Sequence, residues 1–253
     1  MTSDAVAAAN ANMVAAFARL SDHTPTGSSR TVGELTAITT GVPVPFFNPV
    51  FVFEPPARDD LSRAVSWMAE QAVPFRVTVA EPAVDATASL AADLGLERTG
   101  DPQPGMVLGS LDEIPRSDDR VDIEVVTDAT GLDAFVAVTS AAFGMPEPVA
   151  RQVAPESLLD DETVQILVGR VEGEPAASGL LVRSGDVAGV YNIGVTEAFR
   201  RRGVGEAMTW AVLRAGREAG GTVGALQSSE MGYSVYEGMG FETVVTYHSF
   251  SPV

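Results

Sequence analysis

One run of the sequence places basic side chains and glycines where a strand pattern gives way to a helix pattern. The run reads Val195-Thr-Glu-Ala-Phe-Arg-Arg-Arg-Gly-Val-Gly205 and follows β-branched and aromatic residues over 187–195. Glycine lets a backbone approach an anion closely. The first N–H groups of a helix point at such an anion, and the helix dipole adds positive potential there. With three arginines to supply charge-assisted hydrogen bonds, the run predicts a site for a phosphate-bearing ligand.

Two familiar nucleotide-binding loops do not fit this run. A nucleoside-triphosphate loop of the type Gly-x-x-x-x-Gly-Lys-Ser/Thr needs a lysine, and all 16 basic residues of the chain are arginines. A dinucleotide loop of the type Gly-x-Gly-x-x-Gly needs a third glycine, and Met208 stands at that position. A loop and a helix amino terminus of this kind can hold a pyrophosphate through roughly four to six N–H groups.

Arg200, Gly203 and Gly205 fill the pattern Arg/Gln-x-x-Gly-x-Gly/Ala, and the run Tyr236-Glu-Gly-Met-Gly-Phe241 fills a second pattern, Tyr-x-x-x-Gly-Phe. In this order the two motifs resemble those of the GCN5-related N-acetyltransferases, the GNAT family, over roughly the C-terminal half of the chain, residues 121–250. The resemblance implies an α/β fold of the acyl-CoA N-acyltransferase type, with a mixed, mostly antiparallel sheet and helices on both faces. It also implies acetyl-CoA, or another acyl-CoA, as cosubstrate.

The resemblance assigns roles to individual residues. Tyr236 stands where the family has a general acid for the leaving thiolate, since a tyrosine with an ordinary pKa of about 10 is protonated at neutral pH; the alternative is a core tyrosine packed on Phe241. The strand ending near Val195 is expected to separate from its neighbour, which frees backbone groups for the pantetheine chain and for the oxyanion. Ser229 stands where many members have a cofactor-binding asparagine. The predicted cofactor-binding residues are Ile193, Val195, Arg200, Arg201, Arg202, Gly203, Val204, Gly205 and Ser229.

The acceptor side of the predicted site differs from the family pattern in one residue. Many members have a glutamate that removes the amine proton, near the position of Gly189, and this chain lacks it. An ordered water or an acid from elsewhere in the chain would then take that role. The loop that builds the acceptor pocket in the family corresponds here to residues 142–146. Phe143, Met145 and Tyr191 are therefore predicted to line a pocket for a small-molecule or peptide amine, although they are equally typical of a core.

Composition narrows the class of protein. The 253 residues include no cysteine and two histidines, so no thiolate nucleophile and no metal centre is expected. A formal net charge of −18 disfavours nucleic acid and anionic membranes. It favours cationic acceptors, unless it serves only solubility at high salt. No stretch reaches the about 18 apolar residues of a membrane span, and Met1–Leu20 lacks a basic start, which favours a surface helix over a signal peptide. These features predict a cytoplasmic, metal-free protein.

The pattern along the chain predicts two domains. A charged, proline-containing stretch over 110–120 predicts a boundary, with residues 1–115 and 116–253 on its two sides. Beyond the boundary we expect, in order, strand 122–126, helix 129–143, a short helix, strands 163–171, 176–183 and 186–195, helix 205–219, strand 223–227, helix 232–239 and two final strands to 250.

The N-terminal half resembles a shortened, degenerate repeat of the C-terminal half. Asn48 in a predicted strand 46–53 precedes Gly95 by 47 residues, and Asn192 precedes Gly240 by 48. Between them we expect helix 59–71, strand 75–80 and helix 83–94. The loop over 53–60 contains two prolines, which lack N–H donors, and three acids, which would repel a pyrophosphate. Ala91 replaces the tyrosine, so the first domain is predicted to lack the cofactor motif. An unrelated βα domain is the alternative.

These patterns lead to one main functional hypothesis and two alternatives. The main hypothesis is an N-acetyltransferase that moves an acetyl (acyl) group from acetyl-CoA to a primary amine by direct attack, without a covalent enzyme intermediate. The alternatives are a non-catalytic acyl-CoA sensor and an assembly module of two repeats. The resemblance is also compatible with a homodimer, which is common among similar proteins.

Overall fold

The computed structural model describes residues 3–115 and 120–253, and the chain divides into two compact units. Unit 1 contains the described residues up to Ala16 together with those from Met106 to Glu242. Unit 2 contains Phe17–Gly105 and Thr243–Val253. The two units are therefore not contiguous along the chain. The predicted domain boundary, with residues 1–115 and 116–253 on its two sides, stays a prediction.

Helices and strands alternate along most of the described chain. The helices are α1 (Ser3–Asp22), α2 (Arg58–Glu70), α3 (Val84–Ala91), α4 (Ala129–Phe143), α5 (Glu147–Val153), α6 (Val204–Glu218) and α7 (Glu230–Gly238). The strands are β1 (Ser28–Val32), β2 (Leu35–Thr39), β3 (Pro49–Val52), β4 (Arg76–Ala80), β5 (Leu96–Leu108), β6 (Asp122–Val125), β7 (Val164–Val171), β8 (Glu174–Ser184), β9 (Val187–Val195), β10 (Val223–Gln227) and β11 (Glu242–Pro252).

Five strands of unit 1 lie in the order β10-β9-β8-β7-β6. Two tight hairpins join β7 to β8 and β8 to β9, as expected where glycines adopt positive φ, 85° at Gly173 and 57° at Gly185. The pairs β6–β7, β7–β8 and β8–β9 are antiparallel. Helix α6 then crosses over, so that β10 runs parallel to β9. This is the mixed, mostly antiparallel α/β arrangement that the sequence predicts, and the predicted fold class is confirmed.

The core of unit 1 forms between α6 and the strands that it crosses. The apolar face of α6 contributes residues such as Met208, Val212 and Leu213, which are fully buried. Gly216 lies so close to β9 that an added Cβ would stand 2.4 Å from the Cβ of Ala188. Burial of this apolar face is the main contribution to the stability of α6, the helix that follows the arginine-rich loop.

The strands of unit 2 follow the order β1-β2-β3-β4-β11-β5. Its first three strands are antiparallel, and α2 connects β3 to the parallel strand β4. Fully buried side chains of this unit include Leu61 and Met68 of α2 and Val77 and Val79 of β4. Among the described residues, no helix has both the length and the apolar character that crossing a membrane requires.

One strand prediction in unit 2 is wrong at its start. Residues 45–47 form a 3-10 turn, and β3 begins only at Pro49. The reason is proline spacing, because Pro45 and Pro49 lack N–H donors and Pro45 is favoured in the first turn of a helix. Asn48 therefore lies outside the strand, where its side chain donates to the carbonyls of Val42, Val44 and Pro74.

Gly216 provides a test of the close contact between α6 and β9. Gly216→Ala should lower the free energy of unfolding by about 1–3 kcal/mol, because the new methyl group collides with Ala188 and the strand must shift. Urea unfolding monitored by circular dichroism measures the change. The matched control is Gly238→Ala at the end of α7, where an added Cβ meets nothing within 4 Å. Equal stability of the two variants would contradict the packing described here.

Candidate functional site

The arginine-rich run forms a tight connection between β9 and α6. Thr196 N donates to Ala176 O at 3.0 Å, which ends the pairing of β9 with β8. A 3-10 turn over Glu197–Phe199 follows. Two residues then take positive φ, 60° at Arg201 and 77° at Gly203, and α6 begins at Val204. Glycine tolerates this left-handed backbone at little cost, so Gly203 is required by the turn itself.

The amino terminus of α6 presents donors at the end of this turn. Gly203 is the N-cap and offers no side-chain cap hydrogen bond. The first bond of the helix runs from Ala207 N to Gly203 O at 3.0 Å, so the N–H groups of residues 204–206 precede it. Such groups, together with the dipole of the 15-residue helix, favour an anion.

The three arginines of the loop have different surroundings. Arg201 and Arg202 are exposed, and the Arg202 guanidinium lies 5.5 Å from the centroid of the Phe199 ring. The Arg200 side chain turns inward. Its Nε donates to Val195 O at 3.0 Å and its Nη2 donates to Ala142 O at 3.1 Å. Arg200 therefore ties the end of β9 to the end of α4.

A fourth arginine, Arg120, lies near the loop and is not among the cofactor-binding residues predicted from the sequence. The Arg120 Nη2 atom lies 3.4 Å from the position that a Cβ on Gly203 would occupy. Arg120 precedes the loop by 80 residues and belongs to the charged stretch that predicts a domain boundary. No spacing in the sequence connects the two, so only the fold brings this charge to the site.

The strand that leads into the loop separates from its parallel neighbour. In the described chain, the register pairs of β9 with β10 are limited to Val223 with Val187, Gly224 with Ala188, and Ala225 with Gly189. Ile193 and Val195 lie beyond the last pair and pack against the apolar cluster of α6. Pairing of β9 with β10 therefore ends at Gly189, before Ile193 and Val195, and the predicted binding of a cofactor along this part of β9 stays a prediction.

A bulge in β9 accompanies this separation. Asn192 has a φ of 51°, and the register of β9 against β8 shifts there. Two hydrogen bonds hold the bulge: Asn192 Nδ2 donates to Thr139 Oγ1 at 2.8 Å, and Ser178 Oγ donates to Asn192 O at 3.1 Å. A bulge of this kind redirects the side chains of a strand next to a site, and here it turns both Tyr191 and Asn192 toward the face that carries α4.

Tyr236 of α7 is half-buried against the same apolar cluster as Ile193 and Val195. Its ring makes an edge contact with Phe241, with centroids 5.9 Å apart. Burial raises the pKa of Tyr236 above its ordinary value of 10, and a hydrogen bond with Thr209 opposes this shift. The phenol is therefore protonated at neutral pH. The packing and the hydroxyl are both present, so the structure is compatible with either predicted role of this tyrosine.

Ser229 is the N-cap of α7. Its hydroxyl oxygen accepts a hydrogen bond from Gly232 N at 3.3 Å, which is the ordinary role of serine at this position. The residue is exposed and follows the end of β10. Its predicted contact with a cofactor stays a prediction.

The predicted acceptor residues lie on or near the α4 side of β9. Phe143 is 47% exposed, and its ring lies 3.0 Å from the position of a Cβ on Gly194. Met145 belongs to the same loop, where its carbonyl accepts from Ser140 Oγ at 2.7 Å. Tyr191 donates its hydroxyl hydrogen bond to Asn12 Oδ1 at 2.6 Å. Within residues 3–115 and 120–253, no cluster of three or more acidic, histidine or cysteine side chains is placed to hold a metal.

Comparison with known proteins agrees with this geometry. Residues 113–226 match the model of the acetyltransferase (GNAT) domain. The fold is similar to that of a GCN5-related N-acetyltransferase from Kribbella flavida, at a TM-score of 0.70 and 19% identity over 96% of this chain and 95% of that one. A GCN5-related N-acetyltransferase from Sphaerobacter thermophilus gives 0.59 and 14% identity, over 86% and 80% of the two chains. A tandem GNAT protein from the clavulanic acid biosynthesis pathway gives 0.59 and 14%, over 96% and 94%. No curated protein matches the sequence.

The chain therefore contains a GNAT acetyltransferase domain, and its class is that of the acyltransferases. The fold is that of the acyl-CoA N-acyltransferases, as the sequence predicts.

Arg200 and Arg201 differ in their contacts and should differ in their effect on stability. Arg200→Gln removes the charge-assisted hydrogen bonds to Val195 O and Ala142 O, so we expect the free energy of unfolding to fall by about 2 kcal/mol. Arg201→Gln alters an exposed side chain and should change it by less than about 0.5 kcal/mol. Urea unfolding of both variants measures the difference. A stability loss in Arg201→Gln as large as that in Arg200→Gln would contradict the assigned contacts.

Proposed function

We propose that this protein is an N-acetyltransferase that transfers the acetyl (acyl) group of acetyl-CoA to a primary amine by direct attack. The observation that carries this proposal is the combination of an uncapped amino terminus of α6 with the separation of β9 from β10 after Gly189. The first feature suits a diphosphate, and the second suits an extended thioester arm that lies beside a strand edge. Both belong to the segment that matches an acetyltransferase domain.

The donor site is proposed to follow the turn from β9 into α6. Main-chain N–H groups of Gly203, Val204 and Gly205 would bind the diphosphate, and the exposed side chains of Arg201 and Arg202 would neutralise it. The main chain of Ile193 and Val195 would bind the pantetheine arm along the open edge of β9. Arg200 would act chiefly by holding this edge in place, and Ser229 would border the cofactor at the start of α7.

The proposed reaction needs few groups from the protein. The neutral amine attacks the thioester carbonyl, a C–N bond forms, and a tetrahedral oxyanion results, which a main-chain N–H of β9 would stabilise. The C–S bond then breaks, and the thiolate takes a proton from the Tyr236 hydroxyl. Solvent accepts the proton that the amine loses and restores the phenol. The products are an amide and free CoA.

The acceptor is proposed to be a cationic amine that approaches the α4 side of β9. The exposed Phe143 ring, Met145 and Tyr191 would form a partly apolar pocket there. The net charge of −18 attracts a cation over a distance comparable to the Debye length, about 10 Å at 0.1 M salt. The absence of a carboxylate at Gly189 favours an acceptor whose amine is already partly deprotonated at working pH. The absence of this carboxylate is also the observation that favours the alternative function, an acyl-CoA sensor.

The N-terminal part, residues 1–115, is proposed to be a related repeat that has lost the cofactor motif. Unit 2 has the same sequence of elements as the centre of unit 1, with three antiparallel strands, a helix, a parallel strand and a second helix. A solved protein of similar fold is described as a tandem GNAT protein. The loop before α2 contains Pro55 and Pro56, and Asp59 and Asp60 occupy the first turn of that helix, which disfavours an anion there.

Binding of acetyl-CoA can be tested without an acceptor. At a 100-fold excess over Kd, the ligand should stabilise the protein by about 2.7 kcal/mol, seen as a rise in Tm. Arg201→Gln and Arg202→Gln should each weaken the affinity measured by calorimetry by about tenfold, since each removes a charge-assisted contact. Arg30→Gln, at an exposed arginine of β1, is the control. A wild-type protein whose Tm does not respond to acetyl-CoA, acyl-CoA or CoA would refute the proposed function.

Tyr236→Phe distinguishes the enzyme from the sensor. We expect kcat to fall by roughly 100-fold or more while the affinity for acetyl-CoA stays within about twofold, because the ring keeps its packing on Phe241. Since burial raises the Tyr236 pKa above 10, the acid form persists across the neutral range, and wild-type activity should be lost through this group only above pH 10. Thiol release with a panel of primary amines measures the rates.

Tyr233→Phe, on the same helix, is the matched control for Tyr236→Phe. It should leave kcat close to that of the wild type. If the wild type binds acetyl-CoA but does not accelerate thiol release with any amine of the panel, the protein is an acyl-CoA sensor.

A further inference from the structure

Asn12 of α1 is a fully buried polar residue whose side chain enters the acyltransferase unit. Its Nδ2 donates to Val182 O at 3.0 Å and to Ser184 Oγ at 2.9 Å, both on β8. Its Oδ1 accepts from the Tyr191 hydroxyl at 2.6 Å. The residue is 0% exposed. An amide that has both ends engaged in this way has a fixed orientation, so Asn12 fixes in turn the direction of the Tyr191 hydroxyl.

The space that Asn12 occupies exists because residue 189 is glycine. A Cβ built on Gly189 would lie 2.0 Å from Asn12 Oδ1 and 2.6 Å from the Tyr191 ring. No side chain larger than that of glycine fits there without displacing Asn12. The polar group beside this point of β9 is therefore supplied by the first helix of the chain, rather than by the strand.

The location of this cluster relates it to the proposed chemistry. Gly189 is the last residue of β9 that pairs with β10, and Tyr191 immediately precedes the bulge at Asn192. The cluster thus stands where the strand edge opens to the proposed thioester arm. It lies on the face that also carries the exposed Phe143 ring, which is 3.0 Å from a Cβ position on Gly194.

We propose that Asn12 is a positioning residue for acyl transfer, which directs the Tyr191 hydroxyl so that its oxygen accepts a hydrogen bond from the N–H of the acceptor amine. A phenol has one proton, and Tyr191 donates it to Asn12. Any hydrogen bond that its oxygen makes to a ligand is therefore one that it accepts. Such an acceptor orients a primary amine with its lone pair toward the thioester carbonyl. This inference rests on the proposed function.

The test compares Asn12→Ala, Tyr191→Phe and the double variant, with acetyl-CoA and the primary amines spermidine, tyramine and a lysine tripeptide. We expect each single variant to lower kcat/KM for the preferred amine by about tenfold or more, chiefly through KM of the amine, while KM for acetyl-CoA stays within about twofold. Because Asn12 acts through Tyr191, the double variant should be no worse than the worse single variant. Amine binding to the protein saturated with CoA, measured by calorimetry, should weaken by the same factor.

Two further variants separate positioning from stability. Asn48→Ala removes an equally buried asparagine with several hydrogen bonds in unit 2. It should lower Tm without changing KM for the amine. Gly189→Ala keeps both polar residues but pushes Asn12 away, so it should reproduce the kinetic effect of Asn12→Ala.

Each outcome bears on a definite claim. Unchanged amine affinity and KM in Asn12→Ala and Tyr191→Phe, or effects that multiply in the double variant, would overturn the positioning role alone. Weakened amine binding in the variants of a protein that does not turn over would support the positioning of the ligand and overturn the proposed transferase function. Failure of the wild type to bind any of the three amines would overturn both.

Discussion

Strand β9 keeps two hydrogen-bonded neighbours only as far as Gly189, and the rest of the site depends on this limit. Beyond that point a bulge at Asn192 turns the strand, held by Thr139 on one side and Ser178 on the other. A residue in the left-handed region is costly, and surrounding contacts must hold it there. Beyond Gly189, β9 has no register pair with β10 among the described residues, while its other edge remains paired with β8 as far as Val195.

The three arginines of the loop have two different roles: one makes hydrogen bonds within the fold, and two are exposed to solvent. The Arg200 guanidinium donates hydrogen bonds to two carbonyls, one at the end of β9 and one at the end of α4. It thereby couples the proposed donor edge to the loop that carries Phe143. Arg201 and Arg202 remain exposed next to the amino terminus of α6, and the guanidinium of Arg120 lies near Gly203. In a chain of net charge −18, these arginines are a local concentration of positive charge, and the anionic cosubstrate is proposed to bind there for this reason.

The first helix adds a polar group that the local strand cannot supply. Asn12 enters the unit over Gly189 and binds both β8 and Tyr191. Burial of an amide is unfavourable unless its hydrogen bonds are made, and here three are made. The same principle operates at Asn48 in unit 2, whose side chain satisfies the backbone of a proline-rich loop. Asn48 thus fixes the irregular backbone of a loop in unit 2, whereas Asn12 fixes the direction of a tyrosine hydroxyl beside the proposed reaction.

The sequence by itself determined the elements and motifs whose signals are local. The sequence predicts helix α4 over the observed residues, 129–143, and α6 within one residue at each end, because periodicity and glycine position act over a few neighbouring residues. Only the tertiary structure decided which distant groups meet. It turned Arg200 inward, brought Arg120 to Gly203, and placed Asn12 against Tyr191 across 179 residues. It also assigned the first residues of the chain to unit 1 and the last to unit 2. Contacts of this kind arise from packing of the whole chain, and no short-range pattern encodes them.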